Sequence, residues 1–172
     1  MANFLEQLTR EWYEYQGYFV RQNVNVGLRP NGGYECELDV VAFHPKTKHL
    51  VHIEPSMDAD SWANRERRYK KKFAAGRNYI PTLFEGLQLP DEIEQIALLV
   101  FASTKNHPTL GGGRIMILDE LLAQILDGLA NTGIAKSAVP EQLPIIRTLQ
   151  FVSHYRKTFS SFWESGVTQT KP

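Results

Sequence analysis

Asp39 and Glu54 are the residues of this chain best placed by type and spacing to do chemistry. Asp39 falls in the alternating stretch Tyr34 to Phe43, and Glu54 ends the stretch Leu50 to Glu54. The turn-forming run His44-Pro45-Lys46-Thr47-Lys48 lies between them. That pattern predicts two paired strands with one carboxylate on each. Two carboxylates presented from neighbouring strands can share one hard divalent cation, which takes oxygen ligands. The Pro55 carbonyl is a natural third ligand, because proline keeps its acceptor and has no donor to lose. Acidic residues on a hairpin ordinarily form only its solvated face, so the pair gains meaning from its surroundings. His52 shares a strand face with Glu54 and Ser56. It could act as a base or a ligand, or stand as a polar edge residue. Glu37, two before Asp39, could bind a second metal or simply pair with a cation.

The second notable run is Arg65-Glu66-Arg67-Arg68-Tyr69-Lys70-Lys71-Lys72, with Trp62, Tyr69 and Phe73 at spacings that anchor one helix face to a sheet. Arg65, Arg67, Arg68, Lys70, Lys71 and Lys72 then make a concentrated positive field suited to phosphates, which Arg77 extends. The plainer reading is a solvated helix face. Lys plus Arg and Asp plus Glu both number 19, which excludes a uniformly basic coat but leaves room for a local patch. The triple glycine Gly111-Gly112-Gly113 lacks the Gly-Lys-Ser/Thr ending of a nucleotide loop and reads as a mobile connector. No serine-hydrolase elbow or dinucleotide fingerprint is present.

The elements that must position these residues follow from periodicity. A chain of 172 residues, 42% of them hydrophobic, suits one globular domain, expected over 1–164, with a flexible tail at 165–172. A helix is predicted over 3–16 with Asn3 as its cap, then strands over 18–26, 34–43 and 50–54. In the strand over 34–43, strict alternation puts Tyr34, Cys36, Leu38, Val40 and Ala42 on one side and Glu35, Glu37 and Asp39 on the other. A helix follows from about 60 to 75, capped by Asp58 or Asp60 and ended by Gly76. Strands over 96–103 and 115–118 and helices over 119–130 and 141–158 complete the order α-β-β-β-α-β-β-α-α, a mixed sheet covered on both sides. Cys36 is the only cysteine, so no intramolecular disulfide forms, which suits a reducing compartment. No apolar run nears the ~20 residues of a membrane span. The first residues lack the pattern of a secretory signal. A cytoplasmic, membrane-free protein is expected.

The order helix, strand, Glu37-Leu38-Asp39-Val40-Val41-Ala42, turn, Val51-His52-Ile53-Glu54-Pro55-Ser56 resembles the PD-(D/E)XK nuclease superfamily. The match covers about residues 4 to 75. The resemblance implies an α/β fold of the restriction-endonuclease-like type, a mixed β-sheet flanked by helices on both faces. It implies that Asp39 and Glu54 bind Mg²⁺ (or Mn²⁺). Many members also carry a metal-linked Glu on the first helix, about three turns before a Gly-aromatic pair. Glu6 stands at that distance from Gly17-Tyr18. Where the family has a lysine two residues after the Glu, this chain has Ser56, and a hydroxyl can position a water but cannot bring positive charge to a phosphorane-like transition state.

The resemblance and the residues together lead to the expectation of a metal-dependent nuclease acting on DNA, with Glu6, Asp39, Glu54 and Ser56 as its catalytic set. The missing cation would come from the following helix, with Lys70 and its neighbours as candidates. The alternative is a catalytically degenerate DNA-binding or accessory protein on the same fold, a choice that Ser56 makes open. A plain interaction domain is a third reading. The resemblance admits a homodimer, for which the sequence carries no signal.

Overall fold

The computed structural model describes residues 3–102 and 107–166, with side chains through Ser161. The chain divides into two compact units, Met1–Leu121 and Leu122–Pro172. The first unit opens with α1 (Phe4–Tyr15), whose Asn3 cap and Glu6 satisfy each other's backbone N–H groups in a capping box. Its Leu5, Leu8 and Trp12 recur at helical spacing and are buried. A meander follows: β1 (Phe19–Leu28), β2 (Tyr34–His44) and β3 (His49–Ser56), each antiparallel to the one before. Helix α2 (Trp62–Leu83) then crosses over, so that β4 (Glu94–Leu99) lies parallel to β3, as a parallel pair requires. The short β5 (Thr109–Leu110) and β6 (Gly113–Ile117) complete an open six-stranded mixed sheet in the order β1-β2-β3-β4-β6-β5. The protein is a mixed α/β protein, and β3 is the seam between the sheet's antiparallel and parallel parts.

Helix α2 packs its Tyr69 and Phe73 with Ala97, Leu99 and Ile115, and its Ala75 and Ile80 with Leu38, Val41, Phe43 and Leu50. Val40, Ala42, Val51 and Ile53 have the opposite parity and are also fully buried, so the middle strands are covered on both sides. Helix α1 lies against β1, β2 and β3. Strict alternation over 34–43 does not survive. The α2-side core takes Val24 and Val26 from β1 and Cys36 and Leu38 from β2, but then Val41 and Phe43. The register is the same on both sides of the change, Gln22 with Val40 and Val24 with Leu38, so no residue is inserted. Instead both strands turn over together at Asn23 and Asp39, where Asn23 takes φ 53°. That turnover brings Asp39 to the α2 side along with Leu38.

Helix α2 departs from expectation at both ends. Its cap is Ser61, not Asp58 or Asp60, and it runs through Gly76 and Pro81 to Leu83. Gly76 is no terminator. A Cβ there would sit 2.3 Å from His52 Nδ1, so glycine is what lets the helix come down onto β3. Of the triple glycine, Gly111 and Gly113 are likewise packed, with only Gly112 in open space. Gly111 has φ 59°, and a Cβ on it would stand 2.5 Å from the backbone N of Lys70. Its own N–H donates to Glu66 at 2.8 Å. The residues expected to prolong β4 to Ser103 stop at Leu99, and Ser103 itself lies outside the described residues.

Helix α3 (Leu118–Leu129) runs from the first unit into the second. There the helix expected over 141–158 is two, α4 (Pro144–His154) and α5 (Arg156–Gly166). Pro144 sits in the first turn of α4, where its missing N–H costs nothing. Gln150 is fully buried and organises this unit through bonds to Val139 N, Thr132 Oγ1 and the Ser137 carbonyl, each 2.9 Å. Of the expected tail, 167–172 lie outside the described residues. No helix among the described residues is long and apolar enough to cross a membrane.

Candidate carboxylate and lysine site

The turnover of β2 and the crossover of α2 converge on one point. Asp39 and Glu54 come together there, the Asp39 backbone N–H donating to Glu54 Oε1 at 3.2 Å. The β2–β3 register ends at Val40 with Ile53, so the two strands part where the carboxylates stand. Into the opening α2 sends Lys72. Its ammonium donates to Asp39 Oδ1 at 2.6 Å and also to Glu54 Oε2. The sequence offers Lys72 as one phosphate-binding cation of the run and, with Lys70 and Lys71, as a candidate for the missing lysine. Its place was legible in the helix phase, since 72 is three residues after the buried Tyr69 and next to the buried Phe73.

Burial sets the electrostatics. Asp39 is pushed up to about 7 by desolvation and then by the Glu54 charge, with Lys72 working against both. Desolvation also raises the Glu54 carboxyl, with Lys72 opposing it. Burial works against the Lys72 ammonium, but Glu54 and Asp39 outweigh it and hold lysine above its usual value. Two carboxylates facing one ammonium leave an excess negative charge in a desolvated place.

His52 is not a polar edge residue. It is 0% exposed and meets Glu54 Oε1 at 2.7 Å through Nε2. Burial, then the Lys72 charge, brings its pKa down to about 3, so the ring is neutral. Tyr69 donates to the Glu54 carbonyl at 3.2 Å, and burial carries its phenol up to about 12. Ser56 Oγ accepts the Asp58 N–H at 3.3 Å. A depression of about 340 Å³ opens onto this cluster, lined by Asp39, Glu54, Ser56, Met57, Arg68 and Lys72 among others.

Glu6 has a different job from its expected partners. Both of its oxygens bond Asn3, at 2.6 and 3.2 Å, in the α1 cap. Its carboxyl is raised by burial and then by Asp39, so it feels the site from the cap without bonding it. Glu37 is exposed, at a second depression with Lys71 and Arg68.

The basic run splits by helix phase. Arg65 is 3% exposed and committed inward, donating to the Phe101 carbonyl at 2.9 Å and the Asp58 carbonyl at 2.6 Å. Its expected contact with phosphate does not fit that burial. Arg68 reaches the depression but is held by Asp58 at 2.6 Å and Asp60 at 3.7 Å. Arg67, Lys70 and Lys71 are exposed.

Among the described residues, no three His, Cys, Asp or Glu side chains form a group that could hold a metal ion. A hard cation such as Mg²⁺ does not need three, since it is commonly held by one or two carboxylates and keeps several waters. Asp39, Glu54 and the Pro55 carbonyl suit it in donor type. Burial, and then the Glu54 charge, makes ionisation of Asp39 costly, and such an ion would offset that cost. Comparison with family models, with curated proteins and with solved structures found no match, so the reading of the site rests on its own geometry.

Proposed function

We propose that this chain is a Mg²⁺- or Mn²⁺-dependent nuclease of the restriction-endonuclease-like type, which hydrolyses phosphodiester bonds in DNA. One observation carries the reading: the Lys72 ammonium arrives from α2 beside Asp39 and Glu54, supplying the positive charge that Ser56 cannot. A lysine is wanted next to this pair of carboxylates, and here it comes from the helix instead of the strand.

Asp39, Glu54 and the Pro55 carbonyl would hold the cation. When bound, it supplies Lewis-acid neutralisation of phosphate charge. Lys72 is a preorganised donor whose attraction grows with the charge that develops on the phosphoryl oxygens. Ser56, which accepts the Asp58 N–H and also hydrogen-bonds the Asp58 carboxyl, would orient a water through the same hydroxyl. Arg67, Lys70 and Lys71 would meet the backbone away from the reacting bond. A second reading, a DNA-binding or accessory protein that does not cut, is favoured by one feature. Lys72 and His52 already satisfy both Glu54 oxygens without an added ion.

Nicking of supercoiled plasmid in Mg²⁺ or Mn²⁺ separates the two. The nuclease reading expects cleavage by the wild type that is lost in Asp39→Ala and Glu54→Ala with DNA binding kept. Wild-type cleavage no greater than that of Asp39→Ala on duplex, single-stranded and branched DNA would leave the accessory reading.

A further inference from the structure

Behind Glu54 lies a polar chain that the proposed chemistry does not use. Arg77 Nη1 donates to Gln95 Oε1 at 2.5 Å, and Gln95 Nε2 donates to the Phe73 carbonyl at 2.8 Å. Gln95 Nε2 also meets His52 Nδ1 at 3.3 Å, and His52 Nε2 meets Glu54 Oε1 at 2.7 Å. The partners at the two ends fix every proton between them. A guanidinium only donates and a backbone carbonyl only accepts, so the Gln95 amide has one orientation, with its NH₂ towards His52. His52 Nδ1 must then accept, and the proton of a neutral ring sits on Nε2. Glu54, whose other oxygen takes the Lys72 ammonium, is a carboxylate and receives that proton's hydrogen bond.

The chain is built closely. Gln95 comes from β4, Arg77 and Phe73 from α2, and His52 and Glu54 from β3. The His52 ring stands edge-on to Phe73, with centroids 5.4 Å apart. Glycine at 76 is the residue that leaves room for the ring.

We infer that Arg77, Gln95 and His52 form a positioning relay that locks His52 in its Nε2–H tautomer and thereby aims the Glu54 carboxylate, leaving Oε2 for Lys72 and a divalent cation. His52 is then neither base nor ligand. It acts through Glu54, as the partners behind metal ligands do, whose loss commonly costs 10- to 100-fold in metal affinity. The cation part rests on the metal-site reading proposed above; the tautomer part does not.

Two measurements test it separately. Long-range ¹⁵N–¹H correlation of the wild-type imidazole should show His52 protonated at Nε2 and bare at Nδ1. Gln95→Glu, which offers Nδ1 an acceptor, should put a proton on Nδ1. Mn²⁺ titration without DNA should rank wild type first and His52→Leu last, weaker by roughly tenfold or more. His52→Gln, which can still donate to Glu54 Oε1, should fall between them. If His52→Leu fails to fold, Gln95→Leu read against wild type and His52→Gln keeps the comparison. An Nδ1–H tautomer in the wild type overturns the relay, and so does an unchanged Mn²⁺ affinity in the folded variants. A wild type that binds no Mn²⁺ overturns the cation part. Mn²⁺ binding with the expected order but no cleavage of any DNA would leave the relay standing and remove only the nuclease.

Discussion

The sheet-facing and outer stripes of α2 carry the same kind of residue to opposite ends. Arg65 and Lys72 lie on the inner side and spend their charge on protein groups, two carbonyls and the Asp58 carboxylate for one and the Asp39 and Glu54 carboxylates for the other. Arg67, Lys70 and Lys71 lie outside and are exposed. A run of like charge is therefore not one feature. The helix deals it into buried, carboxylate-pairing and surface positions every few residues, and a side chain's phase matters more than its neighbours in the sequence.

The sharpest way to break this contrast is to compare Lys72→Ala with Lys71→Ala in the nicking assay. Losing a preorganised donor to a developing charge costs on the order of 10²- to 10³-fold. Lys72→Ala should lose that much rate while DNA affinity changes little, and Lys71→Ala should cost at most a few-fold. Equal losses would mean that phase carries no meaning here.

Arg65→Ala should come next, as a loss of stability. Hydrogen bonds from a charged donor contribute roughly 1.5–3 kcal/mol each, so its two carbonyl contacts together suggest about 3–6 kcal/mol in urea unfolding. Arg67→Ala should stay within about 0.5 kcal/mol of wild type. An Arg65→Ala protein as stable as Arg67→Ala would contradict the inward role.

The carboxylate pair gives a smaller, pH-dependent effect. Folding raises Asp39 to about 7, so the folded chain favours its protonated form. The stability this contributes is full below an ordinary aspartate value of about 3.9 and is lost as pH rises through the folded value. Without added ion, Asp39→Asn should melt above wild type at pH 8, with the gap closing towards pH 5. Millimolar Mn²⁺ should reverse the order by stabilising only the wild type. Equal Mn²⁺ stabilisation of both proteins would remove the cation site.

The mildest change concerns the outer stripe. Replacing Arg67, Lys70 and Lys71 together by Ala should weaken DNA binding alike across sequences. It should also flatten the log K against log salt line by about 0.9 for each phosphate that is no longer neutralised. An unchanged slope would make this stripe a solvated surface and nothing more.

Asp39 and Glu54 were legible because strand alternation and the intervening turn are local signals. So were the Asn3 cap and the buried Tyr69 and Phe73. The hidden features depended on elements meeting in space. Gly76 reads as a helix end, because a close approach to His52 leaves no trace within α2. His52 could not be told from an edge residue without knowing that Gln95 lies on the neighbouring parallel strand. The turnover at Asn23 and Asp39 breaks a period that the letters obey, since Glu35, Glu37 and Asp39 look alike until the strands twist. The two-residue β5 is too short for any periodicity to announce.

That turnover also divides the β1–β2 hairpin. Beyond it, Tyr34 to Leu38 pair only with β1, while Val40 to Phe43 are held by β1 and β3. The distal part is a two-stranded ribbon clamped to the rest by Val24, Val26, Cys36 and Leu38 on the α2 side and by the Tyr79 hydroxyl on Glu35 at 2.7 Å. Such a ribbon has little stability of its own. It can lift without unzipping β3 from β4, so this wall beside the carboxylates has an opening free energy of its own, below that of the whole sheet.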